Sequence, residues 1–515
     1  MKTNARLGFA IYIGIVGIGA CILMLWVTPY GAGVSPDSTV YAEAARSLLA
    51  GTGFSSSGNP VTHYPPLFPL LLAASSGLNH NLVQAARFLN AVLFGLNIGL
   101  VASAVYFGAG RSYLTTTVAA FFCLSSAPLI VLHAWMWSEP LFIMSSLASV
   151  ILLAAYVNRP SWILLAASSI AMGSAILTRY IGGAFVPAAM ALLLLEGGRR
   201  HVSSNLRRAL IWLAITGLPI GLLLASNTIM TGSATDRTVA FHPIPAAHFS
   251  ALVATTALDF VSPASIPSPL RLIVNGLFAG LLVAQLAIYA ARRGNSIDWH
   301  AAGVVLAVAC FLFSAAYLAG LFLSTSFLDA ATPVNSRLLS PIYVLLVVGV
   351  IAAEWAALRA LAQPALWWCF LVLLAVSISL REPEAVRAGA RIQANGLMYT
   401  SKPWLDSQAM GFLRSFPRDT VIYSNGPDAV QFLAQKRALP VPEKVSPTTL
   451  QANHDYAAQV EVMCEDISKN GALLAYFDAL NWRWYFPTIA DLEVACPVPI
   501  LQRFADGTIY AEEQK

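Results

Sequence analysis

Apolar residues fill the first 381 positions in long runs, separated by short polar segments. About eleven such runs fall at 7–27, 82–107, 113–132, 140–157, 161–178, 181–196, 208–230, 271–291, 301–323, 338–358 and 364–381. A helix needs roughly 17–25 apolar residues to cross the hydrocarbon core, and these runs reach or approach that length. The first run is long for a secretory signal, and Thr28-Pro29-Tyr30-Gly31 lacks a clear cleavage site, so it reads as a retained span. The run 67–78 is too short to cross and is expected to dip in or rest on the surface. Arg179 and Gly182-Gly183 divide 161–196 into two short halves.

Two stretches break this pattern. The first, 35–69, is too polar for a bilayer. Asp37 opens a segment in which Tyr41, Ala44, Ala45, Leu48 and Leu49 recur at helical spacing, with Glu43, Arg46 and Ser47 on the other face. That periodicity predicts a short amphipathic helix along the membrane surface, ended by Gly51 and Gly53. The chain then returns through His63-Tyr64-Pro65-Pro66. The second stretch begins at 382, where charges return and apolar runs shorten. It predicts strands at 421–423 and 472–477, helices at 427–436 and 456–468, and a terminal hairpin turning at Asp506-Gly507. The expected organisation is a polytopic helical membrane domain, 1–381, with a first outer loop at 28–81, followed by an α/β domain at 382–515.

Composition sharpens the class. Of 515 residues, 57% are hydrophobic and 11% charged, with mean hydropathy +0.67; soluble domains carry about 25% charged residues. The net charge of +5 needs no nucleic acid to explain it. Lys2, Arg6, Arg111, Arg159, Arg199, Arg200, Arg207, Arg208, Arg292, Arg293 and Arg359 all fall on one side of alternating spans. The positive-inside rule makes that side cytoplasmic and places the N-terminus inside and the tail outside. Cys21, Cys123, Cys310 and Cys369 lie in spans as packing residues, whereas Cys464 and Cys496 lie in the tail, where a disulfide is chemically possible. No CxxC pair, HExxH, Walker or GxGxxG motif marks a metal or nucleotide cofactor.

The outer loops gather Asp37, His63, Tyr64, His133, Glu139, Arg179, Asp236, Arg237, His242, His248, Asp329 and Arg337, while the span centres are essentially free of ionisable groups. Ion-coupled transporters place such groups near the midplane. Plainer roles stand beside chemistry here: Asp37 as a helix cap, Glu139 as a first-turn acid, Arg179 and Arg337 as headgroup contacts, Asp236 and Arg237 as a mutual pair.

The first-loop order of acid, helix, glycine and Pro-Pro is followed by Trp137-Ser138-Glu139-Pro140-Leu141, Leu177-Thr178-Arg179-Tyr180, TGSATDR at 231–237 and FLDAATPVNSRLLSP at 327–341, with further matches at 400–404 and 423–429. Together these resemble the membrane glycosyltransferases of the GT-C fold, more narrowly the bacterial relatives of protein mannosyltransferases and of the lipid A aminoarabinose transferase. The resemblance implies a polyprenyl-phosphate-linked sugar donor and a lipid, glycan or protein acceptor. It also implies transfer on the extracytoplasmic side of a bacterial inner (plasma) membrane, with inversion at the sugar carbon. It matches Asp37 and Glu139 to the catalytic loop acids and Arg337 to a donor-phosphate contact, with Arg179, Arg237, His63 and Tyr64 as further substrate contacts. Many members have Lys before Pro-Pro where this chain has Tyr64, and the paired acids of metal-dependent relatives are missing, so no metal is expected. A transporter or flippase for a lipid-linked sugar is the alternative.

Overall fold

The computed structural model describes residues 2–77, 81–195, 202–263, 265–293, 303–328, 332–361 and 364–512. Arg199, Arg200 and Asp329 lie outside the described residues. The membrane part opens with α1 (Lys2–Val27), after which the polar loop carries α2 (Pro36–Leu49), a two-residue hairpin of β1 (Ser55–Ser56) and β2 (Asn59–Pro60), and α3 (Leu67–Ser76). The chain continues through α4 (Leu82–Gly108), α5 (Tyr113–Leu124), α6 (Ala127–Ala134), α7 (Glu139–Asn158), α8 (Trp162–Thr178), a 3-10 turn (Tyr180–Phe185) and α9 (Val186–Leu195). Then come α10 (Val202–Thr231), α11 (Ala246–Val261), α12 (Ser268–Arg293), α13 (Val304–Phe327), α14 (Ser336–Leu361) and α15 (Pro364–Asn395).

Among the described residues, seven helices are long and apolar enough to cross a membrane: α1, α4, α7, α10, α13, α14 and α15. The run expected at 113–132 is a bent pair, α5 and α6, with an angle of 63° between them. Ser126 precedes α6 on extended backbone and Pro128 lies in its first turn, where a missing N–H is tolerated but continuation of the preceding helix is not. The three other expected runs are present as shorter apolar helices, at α8, at Tyr180–Leu195 and in the first half of α12. The short helix α11 was not anticipated, because His248, Thr255, Thr256 and Asp259 interrupt its apolar pattern. The helix α15 runs past 381, so the chain leaves the bundle on a rigid rod rather than a loop.

Close packing inside the bundle follows from small residues. A Cβ added at Gly95 of α4 would lie 2.5 Å from the Gly17 carbonyl oxygen of α1, so the two backbones approach as only glycine permits. The amphipathic pattern of α2 buries Tyr41, Ala44 and Ala45 as expected, but leaves Leu49 exposed. Beneath it, Tyr41 packs edge-on against Phe68 of α3 at 5.2 Å.

The tail folds around a five-stranded sheet in the order β4-β3-β5-β7-β6, formed by β3 (Ile422–Ser424), β4 (Ala438–Pro440), β5 (Leu473–Phe477), β6 (Ile500–Phe504) and β7 (Gly507–Tyr510). The strand β3 is parallel to both β4 and β5; the β6–β7 hairpin is antiparallel. Its loop is Ala505-Asp506 rather than Asp506-Gly507. Gly507 already belongs to β7, where a Cβ would lie 2.6 Å from the Tyr476 carbonyl oxygen. The disulfide Cys464–Cys496 closes the helix Tyr456–Asn470 onto the segment after Ile489–Ala495, with Cα atoms 5.6 Å apart.

Three backbone contacts stitch the first loop to the rest. Gly33 bridges Trp135, Val34 bridges Met398, and the Tyr399 N–H donates to the Val34 carbonyl at 3.2 Å. Tyr399 in turn donates to Asp428 at 2.6 Å, and Asp428 takes both oxygens to buried Arg483 at 2.8 and 2.9 Å. The loop is therefore held between the bundle and the tail.

Candidate active site

Five side chains from separate segments meet at the end of the bundle where α1 finishes and α7 and α14 begin. Asp37 is in the first turn of α2, and it is not the cap. Ser35 occupies that position, sharing a hydrogen bond with Ser38 at 3.0 Å and accepting one from Trp137 Nε1 at 2.8 Å. The Asp37 carboxylate is thus free to face the bundle. Its Oδ1 accepts from the Tyr64 hydroxyl at 3.0 Å, and its Oδ2 accepts from Arg337 Nη2 at 2.6 Å.

Glu139 is the first residue of α7, set by Pro140 in the opening turn. Its Oε1 takes two guanidiniums, Arg337 Nε at 2.5 Å and Arg179 Nη1 at 2.6 Å. Arg179 sits on extended backbone between α8 and the 3-10 turn, and also donates to Ser138 at 3.3 Å. Arg337 opens α14, whose start is fixed by Asn335 accepting the Arg337 and Leu338 N–H groups. The Arg337 guanidinium lies 3.9 Å over the Trp137 ring, which stacks on Trp135 at 4.7 Å. A cation on an aromatic face keeps its plane fixed while leaving its edge for hydrogen bonding.

Two acids and two arginines balance in charge. The Glu139 side chain is 2% exposed, whereas those of Asp37, Arg337 and Arg179 are 29%, 24% and 20% exposed. The quartet therefore has a buried back, Glu139, and an accessible front, Asp37 with the arginine edges. Glu139 Oε2 is buried with no hydrogen-bond partner, so only half of this carboxylate is used. Burial pushes the Asp37 carboxyl up, but the Arg337 charge and hydrogen bond, the Tyr64 hydrogen bond and the Arg179 charge outweigh it and hold it below its ordinary value. Burial and the Asp37 charge push Tyr64 well above its ordinary value, so its hydroxyl remains a donor.

Of the residues singled out from the sequence, Asp37, Tyr64, Glu139, Arg179 and Arg337 come together. His63 flanks them with its ring 4.8 Å from that of Tyr64. Arg237 stands further out, within electrostatic reach of Tyr180, whose hydroxyl donates to the Thr62 carbonyl at 3.1 Å. His133 is buried in packing: its ring bonds Asn97 at 3.0 Å and the Leu129 carbonyl at 2.8 Å. Among the described residues no group of three His, Cys, Asp or Glu side chains comes together that could hold a metal ion. Sequence reasoning passed over Trp137, which its place in the Trp-Ser-Glu-Pro motif could have flagged. The basic residues which follow Arg381 on α15 carried no sequence signal. Arg337 and Trp137 border a cleft of about 750 Å³ that also includes Arg387 and Arg391.

The basic positions Arg111, Arg159, Arg207, Arg208, Arg292, Arg293 and Arg359 lie near the opposite helix ends. The quartet and the arginine-rich face are thus separated by the length of the spans.

Residues 63–226 match the family model described as dolichyl-phosphate-mannose-protein mannosyltransferase. No curated protein matches the chain. The fold is similar to the crystal structure of ArnT from Cupriavidus metallidurans bound to undecaprenyl phosphate, with a TM-score of 0.61 and 12% identity over 98% of each chain. The same protein in the apo state gives 0.59 at 12% identity, again over 98% of each chain. The archaeal oligosaccharyltransferase AglB from Archaeoglobus fulgidus, in complex with an inhibitory peptide and a dolichol-phosphate, gives 0.50 at 12% identity over 94% of this chain and 72% of its own. With its apolar helices and small C-terminal sheet, the chain is a multi-pass membrane protein with the GT-C glycosyltransferase fold.

Proposed function

We propose that this protein transfers a sugar from a polyprenyl-phosphate carrier to an acceptor hydroxyl at the extracytoplasmic face of the membrane. The observation that carries the reading is the quartet of Asp37, Arg337, Glu139 and Arg179, exposed only on its Asp37 side at one end of the helical bundle. The match of residues 63–226 to a sugar-transferase family supports it, as do the polyprenyl phosphates bound by the structural neighbours. The basic helix ends on the far side support placing the quartet outside and the N-terminus in the cytoplasm.

In this reading the acceptor oxygen attacks the sugar carbon opposite the phosphate and inverts it. The carbon–oxygen bond to phosphate breaks, its electron pair stays on the phosphate, and the acceptor proton passes to Asp37. A carboxylate held below its ordinary value is a weak base, but a phosphate is a good leaving group, so orientation of the hydroxyl matters as much as basicity. Arg337 uses two of its five N–H groups on the acids and keeps the others for oxygen atoms of substrate. Glu139, at the back, holds both guanidiniums at the angle this requires.

The test is transfer of radiolabelled sugar from a purified polyprenyl-phosphate sugar to an envelope lipid extract by protein in nanodiscs. Labelled product that depends on Asp37 is expected. Binding and movement of the lipid-linked sugar across the bilayer without product would overturn the reading in favour of a flippase.

A further inference from the structure

Asp37 and Glu139 leave neighbouring members of one short backbone ladder. The segment 32–34 runs between 134–136 on one side and 398–400 on the other, with Gly33 paired in parallel to Trp135 and Val34 to Met398. On the first side the Gly33 N–H donates to the Ala134 carbonyl, and the Gly33 carbonyl accepts from the Met136 N–H, both at 2.8 Å. Just past the ladder, Ser38 beside Asp37 donates to the Met136 carbonyl at 2.9 Å, and Trp137 donates to Ser35. The start of α2 is thereby registered against the start of α7, and the two acids of the quartet with it.

The third member of the ladder is the stretch that follows α15, and the tail fastens it from behind. The Tyr399 N–H reaches the Val34 carbonyl, while the Thr400 hydroxyl shares its proton between the Ala32 and Leu397 carbonyls at 3.1 and 2.9 Å. Leu397 closes on Gly33, where a Cβ would lie 2.6 Å from its own. Met398 is held at φ +45°, a left-handed conformation that costs any residue with a side chain. Strain of this kind persists where surrounding contacts over-determine the backbone, and it collects where placement matters. The neighbouring Tyr399 supplies the hold. It is wholly buried, and its hydroxyl donates to Asp428 and accepts from Arg483 Nη2 at 3.1 Å. Arg483 Nη1 donates to the Asn425 carbonyl at 2.9 Å, and the Asn425 side chain exchanges two hydrogen bonds with the Phe477 backbone in β5, both at 2.9 Å. A chain of bonded groups thus runs from the tail sheet to the segment that carries Asp37.

We propose that Tyr399 is a positioning residue for Asp37. Held by Asp428 and Arg483, it fixes Val34, and through Val34 the place of the Asp37 carboxylate against Arg337 and Glu139. The tail is then part of the catalytic unit rather than an appendage to it. The inference rests on the glycosyl-transfer reading for what Asp37 does, and not for the coupling itself. Misplacement of a reacting group by about 1 Å can cost about a hundredfold in rate, so loosening one of the ladder's ties is expected to cost about tenfold.

Tyr399→Phe keeps the ring against Trp404 and removes only the hydroxyl. Its control is Tyr423→Phe, which deletes a hydroxyl bond of the same kind, to Asp466 at 2.6 Å, in a core cluster of the tail that does not include Tyr399. Both are made in the full chain in nanodiscs and read by steady-state transfer and by amide hydrogen exchange of peptides covering 33–38 and 134–138. In Tyr399→Phe, kcat is expected to fall about tenfold with KM for donor and acceptor within about twofold, and exchange at 33–38 to quicken. Tyr423→Phe should change neither, although each variant weakens the tail. Thr400→Val should repeat the loss and Thr400→Ser, which keeps the hydroxyl, restore the rate. Equal loss of kcat in Tyr399→Phe and Tyr423→Phe would reduce the effect to tail stability and overturn the positioning role, as would normal kcat in folded Tyr399→Phe. Unchanged exchange at 33–38 in Tyr399→Phe would overturn the coupling. Wild-type protein that transfers no sugar would defeat the glycosyl-transfer reading instead, and the exchange comparison alone would then decide the coupling.

Discussion

Replacing Asp37 by Asn separates charge from shape at the front of the quartet. The amide is isosteric with the carboxylate. With its oxygen turned to Arg337 and its nitrogen to Tyr64, whose hydroxyl can also accept, both hydrogen bonds survive. What is lost is the negative charge facing Arg337 and a first-turn acid in α2. The ion pair is partly exposed on both sides, so its loss costs about 1 kcal/mol, and the helix-end contribution adds about 0.3–1 kcal/mol. Capping adds nothing to this sum because Ser35, not Asp37, occupies the N-cap position. The variant should therefore remain folded, with a small fall in melting temperature. If Asp37 takes the acceptor proton, single-turnover transfer should fall about a hundredfold or more, equivalent to about 2.7 kcal/mol of barrier. The assay is rapid-quench transfer at saturating donor, with Tyr64→Phe alongside to report loss of the neighbouring hydrogen bond alone. Transfer within about threefold of normal by folded Asp37→Asn protein would remove this residue from the chemistry.

Further outcomes follow from other contacts. Since Asp37 titrates below its ordinary value of 3.8, the stability linked to its charge is present above that pH and is lost as pH falls through the lower folded value; the melting difference between wild type and Asp37→Asn should shrink only below about pH 3.8. Cys464→Ser with Cys496→Ser opens a loop closed over 32 residues and should weaken the tail by about 3–4 kcal/mol, read as faster proteolysis between 456 and 496 with the membrane part intact. Cysteines placed at exposed Ser203 and Ser415 should label from opposite sides of intact vesicles, and same-sided labelling would refute the proposed orientation. Arg337→Lys keeps the charge but cannot serve both acids and Trp137 as a planar fork; transfer should fall at least tenfold while the protein still folds.

The apolar runs made most of the membrane helices legible, because a span declares itself within a single stretch of chain. The amphipathic helix α2 and the strands β3 and β5 were readable for the same local reason. The acids Asp37 and Glu139 could be picked out as charged residues beside proline and tryptophan at span ends. That they share one guanidinium could not, because Arg337 lies 300 residues from Asp37 and nothing local couples them. Ser35, rather than Asp37, as the cap was hidden because both residue types suit the position. Arg381 read as the end of a span, yet it is buried against Phe122 and Tyr343, an arrangement that depends on three distant helices meeting. The strand β4 escaped notice because three residues ending in proline carry almost no pattern.

The stitch joining Gly33 and Val34 to Trp135 and Met398 has a consequence for the order in which the protein is made. Asp37 is among the first residues to emerge from the ribosome, but part of its loop's support, at Met398 and Tyr399, is not synthesised until about 360 residues later. Throughout that interval the loop has only part of its anchorage, and the long sequence separation makes closure a late event. A nascent chain arrested before Met398 can insert its helices and carry all five side chains of the cluster, yet still lack the Val34–Met398 bridge and the Tyr399 contact that hold this loop against the tail.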